Sequence, residues 1–140
     1  MRFWDTSAVV PLLIEEAHSS RVARWLRDDN AMVVWTLTPV EVVSALRRLL
    51  RERALMDDVA HTAEIRLNEL MDRCNVVVDV DAVKSLATRL LRLHVLRAAD
   101  ALQLGAALQW TEGHPQGRAL LTFDDRLAQA AVREGFVVPA

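Results

Sequence analysis

Short apolar runs alternate with longer stretches in which apolar residues recur every three or four positions, and this alternation extends over all 140 residues. Residues 2–4 are a brief apolar lead into Asp5-Thr6-Ser7, the pattern of a strand that ends in a helix cap. Residues 31–35 and 75–80 are short, rich in β-branched side chains and bounded by polar ones, so they predict buried strands. Residues 119–123 and 136–138 complete a predicted set of five.

Helical spacing fills the gaps. Residues 39–53 open with Thr38 as the predicted cap, Pro39 in the first turn and Glu41 three positions after Thr38, the spacing of a capping box. Val42, Val43, Leu46, Leu49 and Leu50 then line one face. Residues 57–72, 82–93, 98–110 and 125–134 read as further helices. No linker, low-complexity run or repeat interrupts the pattern. Residues 1–140 therefore predict one α/β domain, with a parallel five-stranded sheet flanked by helices in three layers. In such sheets chemistry gathers beyond the carboxyl ends of the strands.

Composition narrows the class. With 52% apolar residues the chain has enough material for a proper core, and a lone cysteine, Cys74, excludes an intrachain disulfide and any Cys-based zinc site. Uncharged apolar runs stay well below the ~18–20 residues of a membrane span, and Asp5 interrupts any signal-peptide core, so a cytoplasmic domain without a membrane is expected. The net charge of −2 gives no global basic footprint. Of 17 basic residues all but Lys84 are arginine, which suits bidentate phosphate contact, although compositional bias explains it equally well.

Acidic residues carry the candidate chemistry. Asp5 follows Phe3-Trp4 and Asp124 follows Leu121-Thr122-Phe123, so both fall just past predicted strands. Asp100 interrupts a mostly apolar segment, and Glu41 opens a helix. Brought together, four carboxylates repel one another unless a cation lies between them, and hard oxygen donors favour Mg²⁺ or Mn²⁺, one or two ions, over zinc. Each acid also has a plainer role available. Asp5, Asp100 and Asp124 are all suited to capping a helix, and Glu41 to closing the box with Thr38.

The chain resembles the PIN-domain nucleases, and among them the VapC-type toxins of bacterial toxin–antitoxin pairs. The resemblance rests on Asp5-Thr6-Ser7-Ala8, on Thr36-Leu37-Thr38-Pro39-Val40-Glu41, on Arg97-Ala98-Ala99-Asp100-Ala101-Leu102 and on Leu121-Thr122-Phe123-Asp124, in that order. It implies RNA cleavage, a divalent metal, control by a cognate antitoxin and a homodimer. It also implies that Asp5, Glu41, Asp100 and Asp124 form the acidic cluster, with Thr6 or Ser7 orienting ligands or phosphate. Asp125 matches nothing in the pattern. Asp5 and Asp100 are the expected direct metal ligands, with Glu41 and Asp124 acting through water.

Other motifs add little. His18, His61, His94 and His114 lack zinc spacing, no glycine-rich phosphate loop is present, and Arg47, Arg48, Arg51 and Arg53 read as a solvated helix face. Trp4, Trp25, Trp35 and Trp110 read as core or interface, without the basic–aromatic alternation of a base-stacking platform. Three rival readings stand beside the toxin. A phospho-receiver module needs a lysine at a strand end, whereas Lys84 falls in a predicted helix. The others are an RNA-processing PIN nuclease without an antitoxin and a catalytically dead binding module.

Overall fold

The computed structural model describes all of residues 1–140. Strands β1 (Arg2–Trp4), β2 (Met32–Trp35), β3 (Asn75–Val77) and β4 (Leu120–Leu121) form one parallel sheet in the order β3-β2-β1-β4. Helices α1 (Thr6–Leu13) and α2 (Ser19–Asp28) link β1 to β2, and α3 (Thr38–Arg51) and α4 (Asp57–Met71) link β2 to β3. Helices α5 (Val80–Leu93) and α6 (Ala98–Trp110) lead to β4, and α7 (Asp125–Glu134) follows it.

The alternating pleat sorts the strand side chains into two cores. Phe3, Val33, Trp35 and Leu120 face α5, α6 and α7, where they meet Leu90, Leu104 and Leu127. Trp4, Met32, Val34 and Leu121 face α1 to α4, where they meet Trp25, Leu46 and Leu67. Three layers result, as the alternation of elements predicts. No helix is long and apolar enough to cross a membrane.

The sheet has four strands, not five. Residues 136–138 contribute only a single parallel bridge, Ala119 to Val137, held by Leu120 N to Val137 O (2.9 Å) and Val137 N to Arg118 O (2.8 Å). Pro139 then follows, with no N–H to extend the ladder. Residues 75–80 also divide, because Asp79 leaves the strand and caps α5 through Ala82 N (3.1 Å). Residues 119–123 keep only Leu120 and Leu121 in the ladder, since the Thr122 hydroxyl turns toward Asp5.

Chain direction through the sheet locates the site. Strands β1 and β4 are neighbours, yet the helix after β1 covers one face and the helix after β4 covers the other. The chain therefore parts on either side of the sheet beyond the ends of β1 and β4, which opens a crevice there.

Candidate active site

Asp5 marks the floor of that crevice. Its amide still belongs to the sheet, donating to Leu121 O (3.0 Å), and its side chain caps α1. Oδ2 accepts from Ser7 Oγ (2.6 Å), Thr122 Oγ1 (2.9 Å) and Ser7 N (3.3 Å), while Oδ1 has no protein donor. Ser7 Oγ in turn accepts from Phe123 N (2.9 Å), and Thr122 Oγ1 from Asp124 N (3.0 Å), so the start of the chain is laced to the turn after β4. Only 5% of Asp5 is exposed. That burial, with a smaller contribution from the nearby charge of Glu41, raises its pKa to about 6 against the lowering effect of the Ser7 and Thr122 hydrogen bonds.

Glu41 is held by a different set of partners from those its spacing predicts. The N-cap of α3 is Leu37, with no side-chain capping bond, so the Thr38–Glu41 capping box is absent. Glu41 Oε2 instead accepts from Thr6 Oγ1 (2.7 Å) and Gln103 Nε2 (3.1 Å). Gln103 also donates from Nε2 to Thr6 Oγ1 and to Thr38 Oγ1, both at 3.1 Å, joining α1, α3 and α6. Its two amide hydrogens are shared among three acceptors, and its Oε1 is buried without a partner.

Asp100 lies in the first turn of α6, but the N-cap is Arg97, so Asp100 is not the cap. Its carboxyl is raised above the usual range, first by desolvation and then by the charge of Asp124. The amide of Arg97 and the guanidiniums of Arg97 and Arg126 offset this only in part. Asp124 is the N-cap of α7, accepting from Leu127 N through Oδ1 (2.9 Å). For Asp5 and Asp124 the capping role and a place at the crevice thus coexist.

All four acids line one cavity of about 640 Å³, together with Thr6 and Ser7. They fall into two electrostatic pairs, Asp5 with Glu41 and Asp100 with Asp124. Each sits at the start of a helix, α1, α3, α6 or α7, where the exposed amides and the helix dipole favour negative charge. None has a salt-bridge partner among the ion pairs of the molecule. In this conformation no three carboxylate, imidazole or thiol groups come close enough to grip one ion together.

Residues 2–133 match the model of the PIN domain. The chain belongs to the PIN domain family. No curated protein matches it in sequence. Among solved structures, the fold of this PIN domain is similar to that of FitAcB from Neisseria gonorrhoeae, with a TM-score of 0.68 and 18% identity over 100% of this chain and 97% of that one. It is similar to VapC20 of Mycobacterium tuberculosis, a sarcin–ricin-loop-cleaving toxin, with a TM-score of 0.68 and 19% identity over 98% and 97% of the two chains. PAE2754 of Pyrobaculum aerophilum gives a TM-score of 0.63 and 22% identity over 98% and 87%.

The PIN domain also uses residues that its sequence did not bring forward. Gln103 is buried to within 1% in an otherwise apolar stretch of α6, one helical turn after Asp100, and a lone amide in an apolar run is the signal that marks it. Thr38 is a buried hydroxyl bonded to Gln103, and Thr122 is one bonded to Asp5. Glu16, His18 and Arg48 line the acid cavity, and Arg48 remains exposed, as read for its cluster. Arg47 pairs with Glu64 of α4 (3.2 Å), and Arg51 and Arg53 are exposed. Asp125 lines a neighbouring cavity with Arg97, Asp100 and Arg126. Lys84 lies within α5, away from any strand end.

Proposed function

We propose that this PIN domain is a Mg²⁺- or Mn²⁺-dependent endoribonuclease, the toxin of a cytoplasmic toxin–antitoxin pair. The observation that carries the reading is uncompensated charge: four carboxylates share a cavity, one of them buried, and none is ion-paired. Such a donor set is hard, oxygen-only and anionic, which fits Mg²⁺ or Mn²⁺ and not zinc. A bound ion of this kind supplies a water of lowered pKa and offsets charge on the scissile phosphate.

The chain's own residues divide the remaining work. Asp5 presents Oδ1 to the cavity while Ser7 and Thr122 hold Oδ2, so its carboxylate is fixed in orientation before any ligand arrives. Asp100 is the second direct ligand. Glu41, steadied by Thr6 and Gln103, and Asp124, steadied by Leu127 N, act through water or place the attacking water. Thr6 and Ser7 thus work as orienting residues. Attack by water on the phosphodiester needs no covalent enzyme intermediate.

The likeness to VapC20, a toxin that cleaves the sarcin–ricin loop, supports RNA as the substrate class. An antitoxin would cover the apolar rim formed by the exposed Leu37 and Val40 beside the cavity, and a second copy of the chain would meet the exposed Val76 and Val78 at the β3 edge.

The test is cleavage of structured RNA by purified protein with Mg²⁺, with Mn²⁺ and with EDTA. Cleavage with either metal and none with chelator is expected. Cleavage that survives exhaustive chelation overturns the carboxylate–metal mechanism. Co-expression with the product of an adjacent short gene should relieve growth arrest. Harmless overexpression with the acids intact favours an RNA-processing nuclease instead.

A further inference from the structure

An aromatic column runs from the core to the rim of the acid cavity. Trp25 meets the fully buried Trp4 edge-on, with centroids 6.4 Å apart at 76°. Phe123 stacks on Trp25 at 5.3 Å and 14°, and His18 lies flat on Phe123 at 3.8 Å and 5°. The plane of the His18 ring is therefore set from the core outward, ring upon ring. Neither ring nitrogen of His18 is bonded to the protein; its hydrogen bonds are made by the backbone, where the N–H donates to Glu16 Oε1 (3.0 Å) and the carbonyl accepts from Val22 N (3.1 Å). Stacking alone orients the imidazole.

This column separates two cavities. His18, Phe123 and Asp124 line the acid cavity, and the same three residues line a second one of about 450 Å³ with Arg21 and the chain end. The Arg21 guanidinium lies 5.8 Å from the centre of the Phe123 ring and has no carboxylate partner. A half-buried flat ring and a guanidinium without an ion-pair partner thus stand against Phe123, the residue before Asp124, in a cavity that Asp124 and Asp125 also line.

Resting on the nuclease reading, we propose that this wall binds a nucleotide next to the scissile phosphate. A single RNA strand passing from the acid cavity to the second one stacks a nucleobase on His18 and offers the adjoining phosphate to Arg21. The chemistry matches on both counts. Aromatic and imidazole faces stack on any unpaired base, and a guanidinium forks onto phosphate oxygens. A ring already held by its neighbours loses little freedom on binding, which favours stacking on it over a mobile side chain. Stacking needs an unpaired base, so the site selects single-stranded or splayed RNA over a regular duplex.

The experiment is fluorescence anisotropy with labelled RNA octamers of A, of U, and of an abasic ribose-phosphate backbone, with Ca²⁺ in place of Mg²⁺ to slow cleavage. His18→Ala should weaken binding of the A octamer about tenfold, within the range of one base–aromatic stack. His18→Phe should restore it, and the abasic octamer should bind parent and His18→Ala alike. Arg21→Ala should lower the salt dependence of all three octamers by about one phosphate contact. Equal affinity of parent and His18→Ala for the A octamer overturns the proposal, as does a loss that persists on the abasic backbone or that Phe fails to rescue. A parent that binds none of the octamers overturns this inference, whereas a parent that cleaves no structured RNA with either metal overturns the nuclease reading on which it rests.

Discussion

The side-chain amide of Gln103 donates to the carboxylate of Glu41 at 3.1 Å, across 62 positions of sequence, and so ties the middle of α6 to the start of α3. The same nitrogen reaches Thr6 and Thr38, so Gln103 of α6 is bonded to both α1 and α3. Gln103→Leu keeps the bulk and deletes the donor. It should lower stability by about 1–3 kcal/mol, since buried acceptors lose their partner. Cleavage should fall further than stability explains, because Glu41 is then held by Thr6 alone. Urea denaturation and a cleavage assay on the folded variant check both. Unchanged cleavage at lowered stability would assign Gln103 to packing only.

Asp100 can be tested without disturbing a cap, because the cap is Arg97. Asp100→Asn removes a charge whose pKa is raised by burial and by Asp124. In EDTA the variant should melt at the parent temperature or above it, as repulsion is relieved. With excess Mg²⁺ the parent should gain stability by linkage and the variant should gain less. Cleavage should drop by more than the roughly 10- to 100-fold that loss of an outer-sphere partner costs. Paired melting curves and one RNA assay decide the matter, and parental cleavage rates would remove Asp100 from the site.

The metal-free protein should show a pH dependence traceable to Asp5. Its folded pKa, about 6, lies above the ordinary value of 3.8, so the fold prefers the protonated carboxyl. The stability from this group is then fully present below about 3.8 and is lost as pH rises through about 6. A displacement of this size corresponds to about 3 kcal/mol. Asp5→Asn, which retains an acceptor for Ser7 and Thr122, should abolish the step between those values. In Mg²⁺ the trend should reverse, because a ligand must be ionised to hold the metal. Denaturation across this range with and without chelator reads both signs.

A second titration lies far from the cavity. Glu134 of α7 accepts from His94 Nε2 (2.8 Å) and Arg89 (2.9 Å) at the end of α5. Burial raises its pKa, but those two hydrogen bonds and the charges of Arg89 and His94 outweigh burial and leave it below the ordinary value of 4.5. Its stabilisation is therefore present above about 4.5 and is lost as pH falls through the lower folded value. Glu134→Gln should lower stability near neutrality by roughly 1–2 kcal/mol, and the gap should close in acid. Cleavage at neutral pH should not change. A gap independent of pH would mean that packing, not charge, carries the contact.

Much of this was legible in one dimension. Asp5 and Asp124 stood out because each follows a short apolar run, and a strand followed by an acid is also how a helix begins. The site exploits that coincidence, with capping and cavity-lining roles in the same side chains. What spacing could not reveal was partner choice. Thr38 and Glu41 have capping-box spacing, yet both bond to Gln103, because tertiary contacts supplied better partners than the local backbone did. The fifth strand is reduced to one bridge for a local reason: its apolar pattern is sound, but Pro139 has no N–H with which to extend the ladder. Helix α2 went unassigned, although its apolar face carries Trp25 and, at its N-cap, His18. A column of rings assembled from residues 4, 18, 25 and 123 has no signature along the chain.

The bond from Thr122 to Asp5 spans 117 positions, and it has a bearing on how the protein is made. During synthesis β1 emerges well before β4, so Asp5 waits for its full set of donors until Thr122 has left the ribosome. Contacts of such long sequence separation close late in folding. A nascent chain therefore carries three of its acids without the fourth and without the hydroxyl that fixes the first. If the proposed reading holds, a site that would cut RNA is thus kept incomplete while the chain is still being threaded through the machine that reads its own message.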